Sequence, residues 1–142
     1  MLNELVEVTN KHFKAAVEKN IERLLDSYSK TENLLVFVEG PRWATFGYDA
    51  VAKGWRDFCN SAINLKNCFW AEGLRVEVHE KIGFIAGIVE LEAEINGISR
   101  RIRFRATFVL RKEQDEKWRI IHEHFSQPAP DPYGIGDWLK KD

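Results

Sequence analysis

One dipeptide, Asn96-Gly97, constrains the fold of this 142-residue chain more than any other feature. Both residue types tolerate a positive φ, and such a pair between alternating apolar residues is the strongest short signal for a two-residue hairpin turn. The turn sets the register of the strands on either side, so that Ile95 pairs with Ile98. The sequence therefore predicts a long antiparallel hairpin over residues 82–112.

This register assigns the side chains of the hairpin to two faces. One face, called the charged face below, carries Glu90, Glu92, Glu94, Arg101, Arg103 and Arg105. The opposite face carries Val89, Leu91, Ala93, Ile102, Phe104, Ala106 and Phe108. Because the second set is apolar throughout, it must be covered, and we expect helices to pack on it.

The charged face has two interpretations. Glu92 lies opposite Arg101 and Glu90 opposite Arg103, so the face can be a solvent-exposed set of ion pairs, each contributing about 0–1 kcal/mol. It can equally form a homodimer interface, in which a two-fold axis sets the acids of one subunit against the bases of the other. The residues alone favour neither interpretation.

The remaining segments predict an α+β domain. Apolar residues from Leu2 to Val17 recur with the period of a helix, and Asn20 is a suitable N-cap for a second helix. A third helix is predicted over residues 51–62, and further strands over residues 33–38, 43–46, 69–79 and 117–126. Helices followed by a meander of long strands predict one domain, residues 1–142, with residues 127–142 as a C-terminal tail.

The last strand carries one carboxylate, Glu123, on the face that the helices cover. A loop of residues 113–116 pairs Lys112 with Lys117 and brings Glu123 close to Ala106. A buried carboxylate requires a partner, and burial raises the pKa of such a group, which suits acid/base chemistry or the anchoring of a ligand. A register shifted by one residue would place Glu123 on the other face.

Two histidines of the same strand, His122 and His124, are predicted on the charged face beside Arg105. Two imidazoles on one strand suit zinc, but no third ligand is evident and the guanidinium would repel a cation. We therefore predict no metal site, and interface or hydrogen-bonding roles for both histidines. The sequence has no glycine-rich phosphate-binding motif, so we also predict no cofactor.

Charge and composition argue against several classes of protein. The chain has 21 basic and 22 acidic residues and a net charge of −1, so we predict neither nucleic-acid nor membrane binding. The N-terminal residues lack the apolar block of a secretory signal. Cys59 and Cys68 show neither metal-binding nor CxxC spacing, which indicates reduced thiols. Together these features predict a cytoplasmic protein.

Three stretches carry a resemblance to a known superfamily: FGYDAVAKGWRDF at residues 46–58, RFRATFVLRK at residues 103–112 and WRIIHEHFS at residues 118–126. With three helices before the sheet, they resemble the NTF2-like superfamily in its SnoaL-like, ketosteroid-isomerase-like branch, over nearly the whole chain. The resemblance implies a cone made of three N-terminal helices on a curved mixed, mostly antiparallel sheet. It also implies a pocket inside the cone and homodimers that pack through the convex sheet face, which is the charged face.

Two relatives within the superfamily limit what can be carried over. The His-x-His-x-Ser ending also resembles the association domain of calcium/calmodulin-dependent kinase, an oligomerisation module, but Phe108 and Phe125 stand where that domain has pocket arginines. Against the steroid isomerases, Phe13 occupies the position of the oxyanion-binding tyrosine. Gly40 occupies that of the aspartate base, with Glu39 one residue before it. Steroid isomerisation by that mechanism is therefore not expected.

The resemblance predicts a pocket for a small apolar or aromatic ligand, with Glu123 as the candidate catalytic acid or base. The residues expected to line it are Tyr28, Glu39, Arg42, Trp43, Trp55, Trp70, His79, Phe108 and Phe125. The residues expected at the dimer interface are Glu90, Glu92, Arg101, Arg103, Arg105, His122 and His124. The aromatic residues can equally serve as ordinary core.

Two functions remain open at this point. The first is a cofactor-independent isomerase, cyclase or dehydratase that uses a pocket acid/base residue, and the second is a non-catalytic ligand-binding or oligomerisation module. A catalytic Glu123 faces a water-accessible opening, whereas a structural one is sealed off and paired with an arginine. The tail can cover the pocket mouth, exchange onto a partner subunit through Trp138, or form a simple ordered terminus.

Overall fold

The computed structural model describes residues 3–38 and 40–139, so Leu2, Glu39 and the end of the tail lie outside the described residues. The elements, in chain order, are α1 (Glu4–Glu18), α2 (Ile21–Asp26), β1 (Leu35–Phe37), β2 (Thr45–Phe46), α3 (Tyr48–Cys59), β3 (Asn64–His79), β4 (Ile82–Ile95), β5 (Ile98–Lys112) and β6 (Trp118–Ser126). The predicted order of helices and strands is therefore observed. The largest differences in bounds are the earlier starts of α3 and β3.

The six strands form one sheet in the order β2-β1-β6-β5-β4-β3. β1 runs parallel to β6 and every other neighbouring pair is antiparallel, which agrees with the predicted mixed, mostly antiparallel sheet. α1 packs across one face, against β3, β4 and β6. The register of β3 against β4 shifts near Leu65, Trp70 and Glu72, and irregularities of this kind bend and twist a strand.

The structure confirms the hairpin predicted from Asn96-Gly97. Asn96 has φ 52° and Gly97 φ 82°, as a two-residue turn with positive φ at both positions requires. Ile95 pairs with Ile98, and every predicted partner of the charged face follows in register. Glu90 Oε1 lies 3.3 Å from Arg103 Nε. On the opposite face Val89, Leu91, Ala93, Phe104, Ala106 and Phe108 are buried, and Ile102 is partly buried.

The predicted register of β6 is wrong by two separate single-residue errors. Lys112 pairs with Trp118 rather than Lys117, because the loop is one residue longer than expected. The pairing then shifts again between Leu110 and Val109, where a β-bulge adds one residue to β6. Because two shifts of one residue restore the alternation, Glu123 still lies on the helix-covered face, but opposite Phe108 instead of Ala106.

Side-chain caps begin α1 and α2, and α1 packs through one apolar stripe. The side chain of Asn3 accepts a hydrogen bond from the backbone N–H of Leu5, and Asn20 caps α2 as predicted by accepting from Arg23. The buried residues of α1 are Leu5, Thr9, His12, Phe13, Ala15 and Ala16. Their spacing is that of a single helix face, so α1 covers the apolar side of the sheet.

Gly83 of β4 lies where both β3 and α1 approach the backbone closely. A Cβ at this position would lie 2.8 Å from the carbonyl oxygen of Glu77 and 2.9 Å from Leu5 Cδ1. The backbone oxygen has no freedom to move aside, so Gly83→Ala is expected to lower the free energy of unfolding by about 1–3 kcal/mol. Urea denaturation measures this change.

The matched control for Gly83 is Gly54, in the interior of α3. A Cβ there meets nothing within 4 Å, so Gly54→Ala is expected to raise the free energy of unfolding by about 0.5–1 kcal/mol. If both alanine variants are more stable than the wild type, the described contact between α1 and β4 is wrong.

The tail leaves the sheet after a short continuation of β6. Arg105 Nη2 donates to the carbonyl oxygen of Gln127, and the amide of Gln127 donates to the carbonyl oxygen of Arg103. Beyond this point four large apolar side chains are 58–71% exposed: Tyr133, Ile135, Trp138 and Leu139. The described part of the tail therefore does not bury its apolar residues against its own subunit.

Candidate functional site

A buried phenol, Tyr28, is the centre of a polar cluster between the helices and the sheet. Tyr28 follows α2 and forms an isolated parallel bridge with Ile120 of β6, which fixes its ring against the sheet. Its hydroxyl donates to Glu123 Oε1 at 2.6 Å and accepts from the indole Nε1 of Trp55 at 2.9 Å. The third contact is His12 Nε2, at 3.3 Å. Glu123 is only 3% exposed.

Burial changes the proton affinities in this cluster. Burial raises the pKa of Tyr28 well above its ordinary value, and the charge and hydrogen bond of Glu123 raise it further. Burial lowers the pKa of His12 to about 4, because the imidazolium form loses its hydration. At neutral pH the phenol is therefore protonated and the imidazole is neutral.

His12 is the member of the site that sequence reasoning missed. Its ring is 3% exposed and makes edge-on contacts with Tyr28, Trp55 and Phe108, at centroid distances of 5.2, 5.5 and 6.0 Å. The available signal was its position, because it lies three residues after Thr9 on the apolar stripe of α1. A polar side chain on such a stripe has to find buried partners.

Five of the predicted lining residues come together. Tyr28, Trp55, Trp70, Phe108 and Phe125 lie on the helix-covered side of the sheet, with Phe108 in ring contact with Trp70 at 6.0 Å and Phe125 at 5.6 Å. Trp70 Nε1 also donates to the hydroxyl of Thr9 at 3.0 Å. They form an aromatic cluster in which Phe108 is fully buried.

The other predicted lining residues lie elsewhere. Trp43 is 96% exposed, and Arg42 beside it is exposed as well, because both precede the two-residue edge strand β2 and lie beyond the helix-covered region. His79 is exposed at the end of β3, 3.6 Å from Glu77. Glu39 lies outside the described residues. The structure therefore does not bring Arg42, Trp43 or His79 to the cluster.

The helix-covered face is less covered next to the hairpin turn, where Ile95 and Ile98 are 43% and 66% exposed. Leu91, Ala93 and Phe104 are buried there, and four partly buried side chains border them: Leu65, Cys68, Ile102 and Phe125. We call these four the apolar rim. By contrast, two external cavities of about 600 and 410 Å³ are lined mainly by charged and polar residues, among them Lys11 and Arg111. The rim, unlike these cavities, is apolar, and its member Phe125 contacts Phe108 of the cluster.

The predicted interface residues share the opposite face of the sheet. Glu90 and Glu92 are half-buried, whereas Arg101, Arg103 and Arg105 are exposed. Glu90 contacts two arginines on β5, and Arg103 also reaches Glu72 of β3 at 3.3 Å. His122 and His124 flank Phe37, each with a centroid distance of 5.3 Å, and His122 Nδ1 lies 2.9 Å from the carbonyl oxygen of Leu35.

The sequence matches the family model described as the SnoaL-like domain over residues 5–130. The chain belongs to the SnoaL-like domain family. The match spans both the polar cluster and the charged face of this SnoaL-like domain, and it confirms the resemblance to the NTF2-like superfamily. Comparison with curated protein sequences finds no significant match.

Solved structures resemble this SnoaL-like domain in fold. An NTF2-like superfamily protein from Salmonella enterica serovar Typhimurium LT2 has a TM-score of 0.80 at 17% identity, covering 94% of this chain and 95% of its own. A putative calcium/calmodulin-dependent protein kinase II association domain from Xanthomonas campestris has a TM-score of 0.74 at 18% identity, covering 88% and 86%. A ketosteroid isomerase-like protein from Erwinia carotovora atroseptica has a TM-score of 0.71 at 15% identity, covering 91% and 100%.

Two further observations describe what the SnoaL-like domain offers a partner. Within residues 3–38 and 40–139, no three metal-ligating side chains come close enough to share an ion. In the same ranges, no helix combines the length and apolarity needed to cross a bilayer.

Proposed function

We propose that this SnoaL-like domain binds a small aromatic or apolar molecule at the rim and aromatic cluster, and acts on it as a cofactor-independent isomerase, cyclase or dehydratase. The observation that carries the proposal is the carboxylate of Glu123, buried among aromatic rings and hydrogen-bonded to Tyr28 at 2.6 Å. A carboxylate held in such surroundings suits proton transfer to or from a bound substrate.

Glu123 is sealed from water in the free protein, which the sequence criterion assigns to a structural role, but its hydrogen bond from a phenol supports acid/base chemistry once a ligand is bound. A fully apolar residue at position 123 would avoid the desolvation of a carboxylate, which costs several kcal/mol in an apolar environment without compensation. Instead, the interior keeps a hydrogen-bonded chain from Trp55 through Tyr28 to Glu123, with His12 beside it. Groups that exchange protons along such a chain can serve an enolisable substrate.

The test uses deuterium exchange in a panel of aromatic cyclic ketones, such as 2-tetralone, dissolved in D2O. We expect the wild type to accelerate α-deuteration, and Glu123→Gln to bind the ketone about equally but exchange it about 100-fold more slowly. The glutamine keeps an acceptor for Tyr28 but cannot carry the proton. Mass spectrometry measures deuteration and calorimetry measures binding.

Glu77→Gln is the matched control, because Glu77 is an exposed carboxylate on β3. It should leave both binding and exchange at wild-type values. Binding without exchange in the wild type would favour the non-catalytic ligand-binding module. An exchange rate that Glu123→Gln leaves unchanged would exclude Glu123 as the acid or base.

A second candidate function, self-association, has its own support. Phe69, Ile82 and Phe84 lie on the same side of the sheet as the charged face and remain substantially exposed. One half of the face is therefore apolar, and the other half carries alternating acids and bases. This combination suits a two-fold contact with a second copy. We propose a homodimer through this face, with His122 and His124 at its border.

Replacing Phe84 with lysine is expected to weaken that dimer at least tenfold, because the ammonium would be buried between two apolar surfaces. Sedimentation equilibrium measures the dissociation constant. Trp43→Lys is the control, since Trp43 is an equally large exposed residue away from the sheet face. A monomeric wild type, or a Phe84→Lys variant that associates normally, would contradict the proposed interface.

A further inference from the structure

We propose that Nδ1 of His12 is the atom that meets the ligand, and that the ligand is a flat molecule presenting a hydroxyl hydrogen, such as a phenol or an enol. This inference rests on the proposed binding function and names the substrate class of the same site. Nδ1 is buried, yet it makes no hydrogen bond among the described residues.

The hydrogen bonds around Tyr28 determine which tautomer His12 adopts. The phenol has one hydrogen, and it is donated to Glu123. Trp55 is a donor only, so it supplies its own hydrogen to the phenol oxygen. The remaining contact, His12 Nε2 to the same oxygen at 3.3 Å, therefore requires the hydrogen to be on Nε2. Nδ1 is left as a bare acceptor.

That acceptor has no donor within residues 3–38 and 40–139. Nδ1 of His12 is the buried side-chain atom that lacks a hydrogen-bond partner among the described residues. A buried polar atom without a partner destabilises a protein, and unsatisfied groups of this kind are uncommon in folded domains. A ligand hydroxyl would donate a hydrogen bond to Nδ1, so binding would satisfy an acceptor that has no partner among the described residues.

The rings around His12 indicate the shape of the ligand. Tyr28, Trp55 and Phe108 each contact the imidazole edge-on, with interplanar angles of 81–89°. Of these three rings, Trp55 alone is partly exposed. Trp55 and Leu65 of the apolar rim pack against the same buried cluster of Ala15, Ala16 and Leu24. In this proposal a flat molecule enters from the rim side and reaches Nδ1 by displacing or stacking beside the Trp55 indole.

The same contacts provide a balanced route for one proton. The ligand O–H bond breaks and its proton joins Nδ1, while the proton on Nε2 passes to the phenol oxygen of Tyr28. The original phenol proton passes to Glu123, which becomes a neutral carboxylic acid. The electron pair of the broken bond stays on the ligand oxygen as a phenolate or enolate. One negative charge moves from Glu123 to the ligand, and no oxidant or further reactant is needed.

His12 acts in this route as a relay. Because burial lowers its pKa to about 4, the doubly protonated ring is avoided, and each arriving proton is accompanied by the departure of another. Tyr28 behaves in the same way, because its raised pKa keeps it protonated before and after the transfer. The carboxylate of Glu123 is the group that stores the proton.

The first test needs no ligand. Nitrogen-15 NMR of the free protein, labelled at histidine, distinguishes a protonated Nε2 from a protonated Nδ1. We expect the Nε2–H tautomer for His12 at pH 7, and a Nδ1–H tautomer would overturn the inference. Because this measurement uses the wild type, it decides the question even if the variants fail to fold.

The second test compares 4-methylphenol with toluene, which has the same ring and methyl group but no hydroxyl. We expect the wild type to bind the phenol at least about tenfold more tightly, the factor that corresponds to 1.4 kcal/mol. In His12→Gln the amide nitrogen reaches the position of Nε2 and nothing replaces Nδ1, so the preference should disappear. His12→Asn, which restores a polar atom near Nδ1, should recover part of it.

The outcomes separate this inference from the proposed function. Equal binding of both probes by the wild type, or an undiminished preference in His12→Gln, overturns the role of Nδ1 while leaving a ligand-binding site in place. If neither probe binds and no ketone of the panel binds, the binding function fails and the ligand role of Nδ1 fails with it. A preference that His12→Gln removes and His12→Asn partly restores supports both.

Discussion

Replacing Phe108 with alanine is expected to lower the free energy of unfolding by about 3–5 kcal/mol, the range for removing a large aromatic ring from a packed core. Phe108 is fully buried on β5, and its ring contacts Phe13, Trp70 and Phe125 at centroid distances of 5.6–6.0 Å. The four rings belong to different elements, so no single neighbour can move to fill the space. Urea denaturation followed by tryptophan fluorescence measures the change.

Phe46→Ala provides the comparison for Phe108. Phe46 lies on the edge strand β2 and is mostly exposed, so its truncation should change the free energy of unfolding by less than about 0.5 kcal/mol. If the two alanine variants are equally stable, the ring cluster around Phe108 is loosely packed, and the aromatic residues form an open site instead of a core.

The free energy of unfolding should also fall by about 3 kcal/mol between pH 7 and pH 4 on account of His12 alone. The pKa of His12 is lowered from 6.5 to about 4, so the unfolded chain binds a proton in this range that the folded protein excludes. The contribution of the neutral imidazole is complete above pH 7, is lost as the pH falls from 6.5 to 4, and changes no further below that.

Comparison with His12→Gln isolates this contribution, because the amide does not titrate. The stability difference between wild type and variant should shrink by about 3 kcal/mol from pH 7 to pH 4. His79→Gln, which removes an exposed histidine, should keep the pH dependence of the wild type. A difference that stays constant across this range would mean that His12 can be protonated inside the fold.

The part of the fold that could be predicted depends on local signals. Asn96 and Gly97 adopt positive φ for reasons that reside in the two residues, and the tight turn leaves no freedom in the pairing of β4 with β5. The separation of charged and apolar faces follows from that pairing. Asn20 likewise acts through its own side chain, so its role as a cap was predictable.

The pairing of β6 was not predictable in this way. The loop before Trp118 contains no two-residue turn signal. The bulge, which falls where the pairing passes from Leu110 to Val109, depends on how β6 packs between β5 and β1. Placement of Glu123 on the inner face was correct because two errors compensate. Its actual neighbours, Phe108 and Tyr28, follow from the true register and from the bridge that brings Tyr28 beside Ile120.

For the candidate site too, residues within a clear local pattern were placed correctly and the others were not. Trp55, Trp70 and Phe108 occur at periodic positions of their elements, and periodicity placed them on the buried side. Trp43 precedes a two-residue strand at the edge of the sheet, which is too short to show a periodic pattern. Its side chain is exposed to solvent. The proximity of His12 to Tyr28 depends on how α1 crosses the sheet, which no local pattern specifies.

The extra residue in β6 has a consequence for how this chain can tolerate change in length. Upstream of it, even-numbered side chains such as Trp118 and Ile120 face inward, and downstream of it the odd-numbered Glu123 and Phe125 do. Deleting one residue at this bulge would leave a strand that alternates regularly, with Ile120 and Glu123 both still facing inward. A change of one residue in length is therefore compatible with both surfaces of β6 at the bulge, whereas the same change elsewhere in the strand would exchange the two surfaces beyond it.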